Sequence, residues 1–332
     1  MGRRHSYLAI SGGGENGAFG AGLLKGWSEA GTRPEFTIVT GISTGALTAP
    51  FAFLGSEYDD ELEEIYTAYA SDQILKRRGP LKAIMSDAAA SSKPLQELLR
   101  RYIDEEMRRA IAREYRKGRR IYIGTTNLDA GRPVVWNLGL IATSPHTGAL
   151  ELMRRILLAS ASIPGGLPPV LIEVEAGGSV YDEMHVDGGT TSQVFLYPVG
   201  IDWRRVLENL QVQGKPDVYV LRNGRLNAIW KTTKNKFMSI AGRAVSELIR
   251  TQGEGDLYRI YLQSLRDGLT FHVASIPSSF TRQPQEPFDQ AYMQELFAVG
   301  RDLALQNLGW NDSPPGIEID TTTVDGLVPA VP

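Results

Sequence analysis

Between residues 7 and 54 the chain repeats one pattern twice: a short apolar strand, a glycine-bearing turn and a helix. Tyr7–Ile10 leads through Ser11-Gly12-Gly13-Gly14-Glu15-Asn16-Gly17 into a small-residue helix over about 18–30, which Gly31 and Pro34 end. Phe36–Thr40 then leads through Gly41-Ile42-Ser43-Thr44-Gly45 into a helix reaching about Leu54. A strand–helix–strand–helix opening predicts parallel strands joined by crossover helices. The expected fold class is therefore α/β: three layers, with a mostly parallel sheet wrapped by helices.

The chain's 332 residues can bury a large core, as one α/β domain or two smaller ones, and the single-domain reading is preferred. A net charge of -3 gives no basic excess for neutralising phosphates, so nucleic acid is not an expected partner. The absence of cysteine removes disulfides, thiolate metal sites, a cysteine nucleophile and a lipid-modified cysteine. No run of about 18 apolar residues is present to form a transmembrane segment. The first strand begins near Tyr7 and leaves no room for a signal peptide. A cytoplasmic location is the default expectation, with a removed presequence left open.

From Ser56 to Gly118 the pattern turns helical and charged, interrupted by Pro80 and Pro94. Residues 56–118 read as a helical insertion on the sheet's rim. Tyr66, Tyr69, Leu75, Leu81 and Ile84 fit helix packing or the lining of an acyl groove or lid equally well. Strand signals return over 120–127 and 133–138. A helix over about 150–160 enters the rigid loop Ala161–Pro169, and strands over 170–174 and 184–186 end at Asp187-Gly188-Gly189. Val218–Leu221 reads as a buried strand. Ala241, Ala244, Val245, Leu248 and Ile249 recur at helical spacing within a long helix over about 239–261. A strand over 269–276, a helix over 288–308 and an irregular tail over 312–332 complete the chain.

The chemistry starts at Ser43. Glycines flank it because a sharp strand-to-helix turn leaves no room for bulk, and the turn lifts Oγ clear of the sheet. The following helix presents its N-terminal amides to developing negative charge. The loop Gly12-x-Gly14-x-x-Gly17 also satisfies a dinucleotide fingerprint, but that reading wants an acid at the end of the second strand, where Gly41-Ile42-Ser43 stands instead. An oxyanion hole is preferred: consecutive glycines bare their amides beside a neighbouring strand end. A tight turn without a ligand is the bland alternative.

A serine also needs a base. Asp187, at a strand end before two glycines, is one choice; burial would raise its pKa toward that of a useful base. A turn-capping aspartate is the structural alternative. His5, His146, His185 and His272 are the others, and the order Ser43, Asp187, His272 matches that of a Ser–His–Asp hydrolase. Against this, His272 lies within a strand pattern. No His, Asp or Glu cluster has metal-ligand spacing, so neither a metal nor another cofactor is expected.

Ser-Gly-Gly-Gly-Glu-Asn-Gly, Gly-Ile-Ser-Thr-Gly and Asp-Gly-Gly, with Ala159-Ser160-Ala161-Ser162-Ile163-Pro164 and Pro168-Pro169 between them, resemble the patatin-like phospholipase family. These blocks span residues 8 to 198. The resemblance implies hydrolysis of acyl esters in lipids by a Ser–Asp dyad, with a lipid ester as substrate and peripheral contact with a membrane surface. Carried over, Ser43 is the nucleophile and Asp187 the base. Gly12, Gly13 and Gly14 line the oxyanion hole, and Asn16, Gly17, Gly41, Gly45, Gly188 and Gly189 support the loops. Two departures stand out. Ser11 occupies a position where the family often has Asp, and Asn16 one where it usually has Arg or Lys. The second departure gives the one argument for a non-catalytic member that binds lipid or a partner. Residues 100 to 120 hold nine Lys or Arg against four Asp or Glu, which fits a solvated helix pair or a docking face for anionic head groups.

Overall fold

The computed structural model describes residues 5–78, 88–209, 212–226, 232–315 and 317. The two opening strands are β1 (Ser6–Ile10) and β2 (Ile38–Ile42). A small ribbon, β3 (Lys76–Arg77) with β4 (Ala90–Ser91), stands apart from the main sheet. The main sheet adds β5 (Arg120–Asn127), β6 (Arg132–Asn137), β7 (Val170–Ala176), β8 (Ser179–Asp187), β9 (Asp217–Arg222) and β10 (Thr270–Ser275). Its order is β10-β9-β1-β2-β5-β8-β7, with β6 also on β5. Neighbours from β10 to β5 are parallel. β6, β7 and β8 join antiparallel. The reversal from β7 to β8 is made by Gly177 and Gly178, both in left-handed backbone, as a tight hairpin requires.

Side chains alternate across the strands, and each face has its own core. Leu8 and Ile10 face the larger core, built with α1 (Gly17–Glu29) and α2 (Thr44–Leu54). Tyr7 and Ala9 face a smaller core, covered by the inner part of a long C-terminal helix. Helices on both faces of a mainly parallel sheet make the three layers that the opening pattern predicts. The stretch 56–118 contributes α3 (Asp59–Thr67), a single turn α4 (Ser71–Ile74), α5 (Lys93–Tyr102) and α6 (Glu105–Arg116). These place Leu62, Tyr66, Leu99, Met107 and Ile111 in the larger core, which welds that stretch to the sheet layer. Truncating a fully buried Leu62 to alanine would cost roughly 2–5 kcal/mol. Leu81 and Ile84, which fit helix packing or groove lining equally well in the sequence, lie outside the described residues, as does almost all of the tail after Pro315.

The basic run at 100–120 is largely paired. Arg108 and Arg109 meet Glu105, while Lys117 and Arg119 meet Glu114. No helix among the described residues is long and apolar enough to cross a membrane.

Candidate active site

The site exists because two strands run head-on along one edge of β5. Gly124 pairs with Ile42 of parallel β2, and the next residue, Thr125, pairs with Asp187 of antiparallel β8. β6 pairs with β5 across both of these positions and so occupies the opposite edge. The ends of β2 and β8 therefore face each other, which brings Ser43 and Asp187 together. Residue 188 must be glycine for this junction to close: a Cβ there would sit 2.5 Å from the Gly124 carbonyl oxygen.

Ser43 takes φ 55 and ψ -125, left-handed backbone that costs a non-glycine residue of order 1–3 kcal/mol. Ser160, at the end of a helix over Ala149–Ser160, holds this conformation: the Ser43 amide donates to Ser160 Oγ at 3.0 Å, and Oγ donates to the Gly124 carbonyl at 2.7 Å. Gly41 and Gly45 pack against each other beneath the turn, and a Cβ at Gly45 would strike the Ile10 carbonyl.

Asp187 is buried, at 4% exposed. Its Oδ1 accepts the Gly189 amide at 2.7 Å, while Oδ2 is buried without a hydrogen-bond partner. Burial pushes this carboxyl up to about 7, partly opposed by the nearby Ser43 hydroxyl and the Gly189 amide. Ser43 Oγ stands near enough to act on the carboxylate, though without a hydrogen bond of normal geometry.

The glycine loop lies over the same point. A Cβ at Gly12 would be 3.1 Å from Ser43 Cβ. Three bare amides were the expectation, and here the structure corrects it: the Gly12 amide donates to the Gln193 carbonyl at 3.0 Å. The amides of Gly13 and Gly14 have no acceptor among the described residues. Residue 13 has to be glycine because Asn223 presses against it, its Cβ 2.7 Å from where a side chain would begin. Below the loop, Ser11 Oγ donates to the Gly12 carbonyl at 2.8 Å and accepts from the Asn223 amide at 2.8 Å and Arg222 Nη1 at 3.3 Å. A buried guanidinium thus feeds, through Ser11, the carbonyl end of the peptide whose N–H is that of Gly13.

The family model described as patatin-like phospholipase matches residues 8–199. The chain belongs to the patatin-like phospholipase family. No curated protein matches it. Among solved structures, VipD from Legionella pneumophila is similar with TM-score 0.44 and 11% identity, over 93% of this chain and 68% of VipD. ExoU from the type III secretion system of Pseudomonas aeruginosa, solved with SpcU, gives TM-score 0.33 and 14% identity over 92% of this chain. The chain spans 54% of that ExoU chain.

As a patatin-like chain it departs from its family at two positions, and both have structural occupations. Asn16 Oδ1 accepts from Tyr292 Oη at 2.7 Å, tying the glycine loop to a C-terminal helix over Gln290–Leu305. Ser11, where an acid often stands, serves the relay from Arg222 just described. Gly17 packs against Thr44 at the start of α2, and Gly189 against the Gln193 amide.

The sequence signals did not point to Ser160, Gln193, Arg222 or Asn223. Gln193 Nε2 donates to the Gly189 carbonyl at 2.7 Å, so this residue braces the glycine loop and the Asp187 turn together. Only the resemblance in the 159–164 block touched any of them.

The histidines lie elsewhere. His272, on the outermost strand β10, meets Asp217 at 3.3 Å and Asp312 at 3.0 Å and stacks on Tyr219. Two strands, β9 and β1, separate β10 from β2, so the Ser43–Asp187–His272 triad does not form. His185 is fully buried against Thr125 Oγ1 and Glu183, and burial lowers its pKa. His146 sits in a loop where it accepts the Gly148 amide. His5 precedes β1, beside Thr37. A cavity of about 990 Å³ opens on the face of the smaller core, lined by Tyr7, Tyr122, Phe195 and Trp203, but neither Ser43 nor Asp187 lines it.

Proposed function

We propose that this protein is a serine acyl hydrolase that cleaves carboxylic esters of lipids: phospholipids, lysophospholipids or acylglycerols. The observation that carries the reading is the Asp187 carboxyl, pushed up to about 7 beside a serine in left-handed backbone. A carboxylate of that basicity is matched to proton transfer near neutral pH. Asp187 takes the proton as Ser43 Oγ forms a bond to the ester carbonyl carbon. The carbonyl π electrons move to oxygen, and the Gly13 and Gly14 amides hold the resulting anion. Collapse breaks the C–O bond to the leaving alcohol, which receives the proton from Asp187. Water then repeats the sequence on the acyl-serine, releasing a fatty acid and restoring the serine.

Gly12 keeps a supporting role, because its amide is already engaged by Gln193. Acting on lipid esters requires the protein to reach a lipid surface, so peripheral membrane contact belongs to the same reading. A fluorophosphonate probe followed by mass spectrometry tests it. Wild type should be labelled on Ser43, and Ser43→Ala should lose the label. A correctly folded wild type that neither takes the probe nor releases fatty acid from any of the three ester classes would refute the reading.

A further inference from the structure

The long helix α10 (Phe237–Asp267) changes character near Gly253. Beyond that point Leu257, Ile260 and Tyr261 enter the smaller core. Before it, the polarity is inverted. Val245, Leu248 and Ile249 share one side of the helix and are 54%, 70% and 40% exposed, and Ile240, further out, is 50% exposed. The opposite side carries Arg243, Glu247 and Arg250, joined in a chain of ion pairs that ends at Glu254 and shields them more than the apolar side. A surface helix of a free-standing protein shows the reverse arrangement, and a clustered apolar face left in water marks a contact surface.

The position of this face says what it meets. A Cβ at Gly253 would lie 2.5 Å from Arg222 Nη2, and Arg222 reaches the Ser11 hydroxyl beneath the glycine loop. At about 1.5 Å per residue, Leu248 is roughly 8 Å and Ile240 roughly 20 Å along the axis from Gly253. The apolar face thus begins within two turns of the residue that packs against Arg222. The charge flanking it is one-sided: residues 231–236 hold three lysines and no acid, and Lys234 and Lys236 are exposed. Two copies meeting through this face would bring like charges together, which disfavours self-association. An apolar face beside a cluster of cations matches a helix that lies in the plane of an anionic bilayer surface.

We propose that the outer half of α10, residues 237–252, docks the protein on an anionic lipid bilayer. Val245, Leu248 and Ile249 enter the head-group boundary, and Lys234 and Lys236 lie against lipid phosphates. This rests on the lipid-hydrolase reading for its purpose, though the binding itself can be measured without turnover.

The test uses the full chain carrying Ser43→Ala and extruded vesicles of phosphatidylcholine with or without 30% phosphatidylserine (roughly the anionic fraction used to mimic a charged leaflet). Binding is read by flotation. The protein should float with the anionic vesicles, and Val245→Glu with Leu248→Glu should cut the bound fraction at least about tenfold. Raising salt from about 50 to 500 mM should release the unsubstituted form. A Leu248→Trp reporter should shift its emission to the blue on anionic vesicles alone. In the active background, the Glu pair should leave hydrolysis of a soluble short-chain ester within about twofold while suppressing that of vesicle lipid.

Flotation unchanged by the Glu pair, or absent in a protein that cleaves the soluble ester, overturns the docking proposal. So does a dimer in sedimentation velocity that the Glu pair dissolves, which would assign the face to a second copy. Vesicle binding that depends on Leu248 in a protein with no esterase activity and no fluorophosphonate label would uphold docking while removing the hydrolase reading.

Discussion

Two aspartates are almost equally hidden from solvent, Asp187 at 4% exposed and Asp267 at 3%, and their carboxyls are pushed in opposite directions. Asp267 accepts from Tyr197 Oη at 2.6 Å and from Arg266 Nε at 2.8 Å and Nη2 at 2.7 Å. Burial pushes it upward, but the Arg266 guanidinium and the tyrosine outweigh burial and hold it below the usual carboxylate range. Asp187 has one amide and a nearby serine, with no cation acting on it, and burial carries it up to about 7. Solvent exposure is matched, but Asp187 lies far deeper among protein atoms and only Asp267 has a cation beside it, so depth and partners together set the direction. One region uses its carboxyl to fasten the turn after α10. The other keeps an unneutralised carboxyl at the carboxyl edge of β2, a cost to the fold that suits a base.

The largest effect should come from making Asp187 a permanent neutral. Asp187→Asn should lower kcat by about 10³-fold, the scale of a lost general base, with the circular dichroism spectrum unchanged. In wild type the active form is the carboxylate, so kcat/KM should rise with pH through about 7. A rate for Asp187→Asn within about tenfold of wild type would erase the contrast between the two aspartates.

Stability should show the contrast with opposite signs. The pKa of Asp187 is higher folded than unfolded. Its contribution to stability is therefore present below the unfolded value of about 4 and is lost as pH rises through about 7. A shift of that size corresponds to roughly 4 kcal/mol as an upper scale. Asp187→Asn should thus raise Tm at pH 8 and leave it near wild type at pH 4. Asp267 is depressed, so its contribution is present above the unfolded value and lost as pH falls. Asp267→Asn should lower stability at pH 8 by about 1–3 kcal/mol, as expected for disrupting a buried hydrogen-bonded group. Thermal melts of both variants decide it: a shift of the same sign at pH 8 would break the comparison.

A smaller effect belongs to the clamp on the elbow. Ser160→Ala removes the acceptor of the Ser43 amide and should lower kcat by about tenfold, equivalent to roughly 1.4 kcal/mol, while KM moves little. Ser160→Thr keeps a hydroxyl and should recover part of the loss. Equal activity in the alanine variant would mean that the left-handed backbone at Ser43 holds without it.

Much of this site was readable before any coordinates. Glycine spacing around Ser43, the triple glycine after the first strand and the glycines after Asp187 are local signals, because a sharp turn or a close backbone approach restricts residue type on the spot. The alternating strands and crossover helices located the sheet for the same reason. What stayed hidden depends on partners far along the chain. Ser160 reaches back 117 residues to Ser43, and Asn223 reaches 212 residues to Ser11. A lone serine or asparagine carries no local mark of such a bond. The meeting of β2 and β8 along one edge of β5 is a matter of register between distant segments, which neither segment encodes alone. Periodicity over 239–261 correctly indicated a helix, but not that the apolar side of its outer half faces away from the core, since spacing defines a face and not its surroundings.

Ser43, on this mechanism, needs a carboxylate and no imidazole. The chain has four histidines, so replacing His5, His146, His185 and His272 together with glutamine gives a direct measurement: kcat/KM of the histidine-free protein beside that of Asp187→Asn, on one ester, with folding checked by thermal melt. The histidine-free protein should stay within about tenfold of wild type while Asp187→Asn falls about 10³-fold. A folded histidine-free protein as inactive as Asp187→Asn would contradict it.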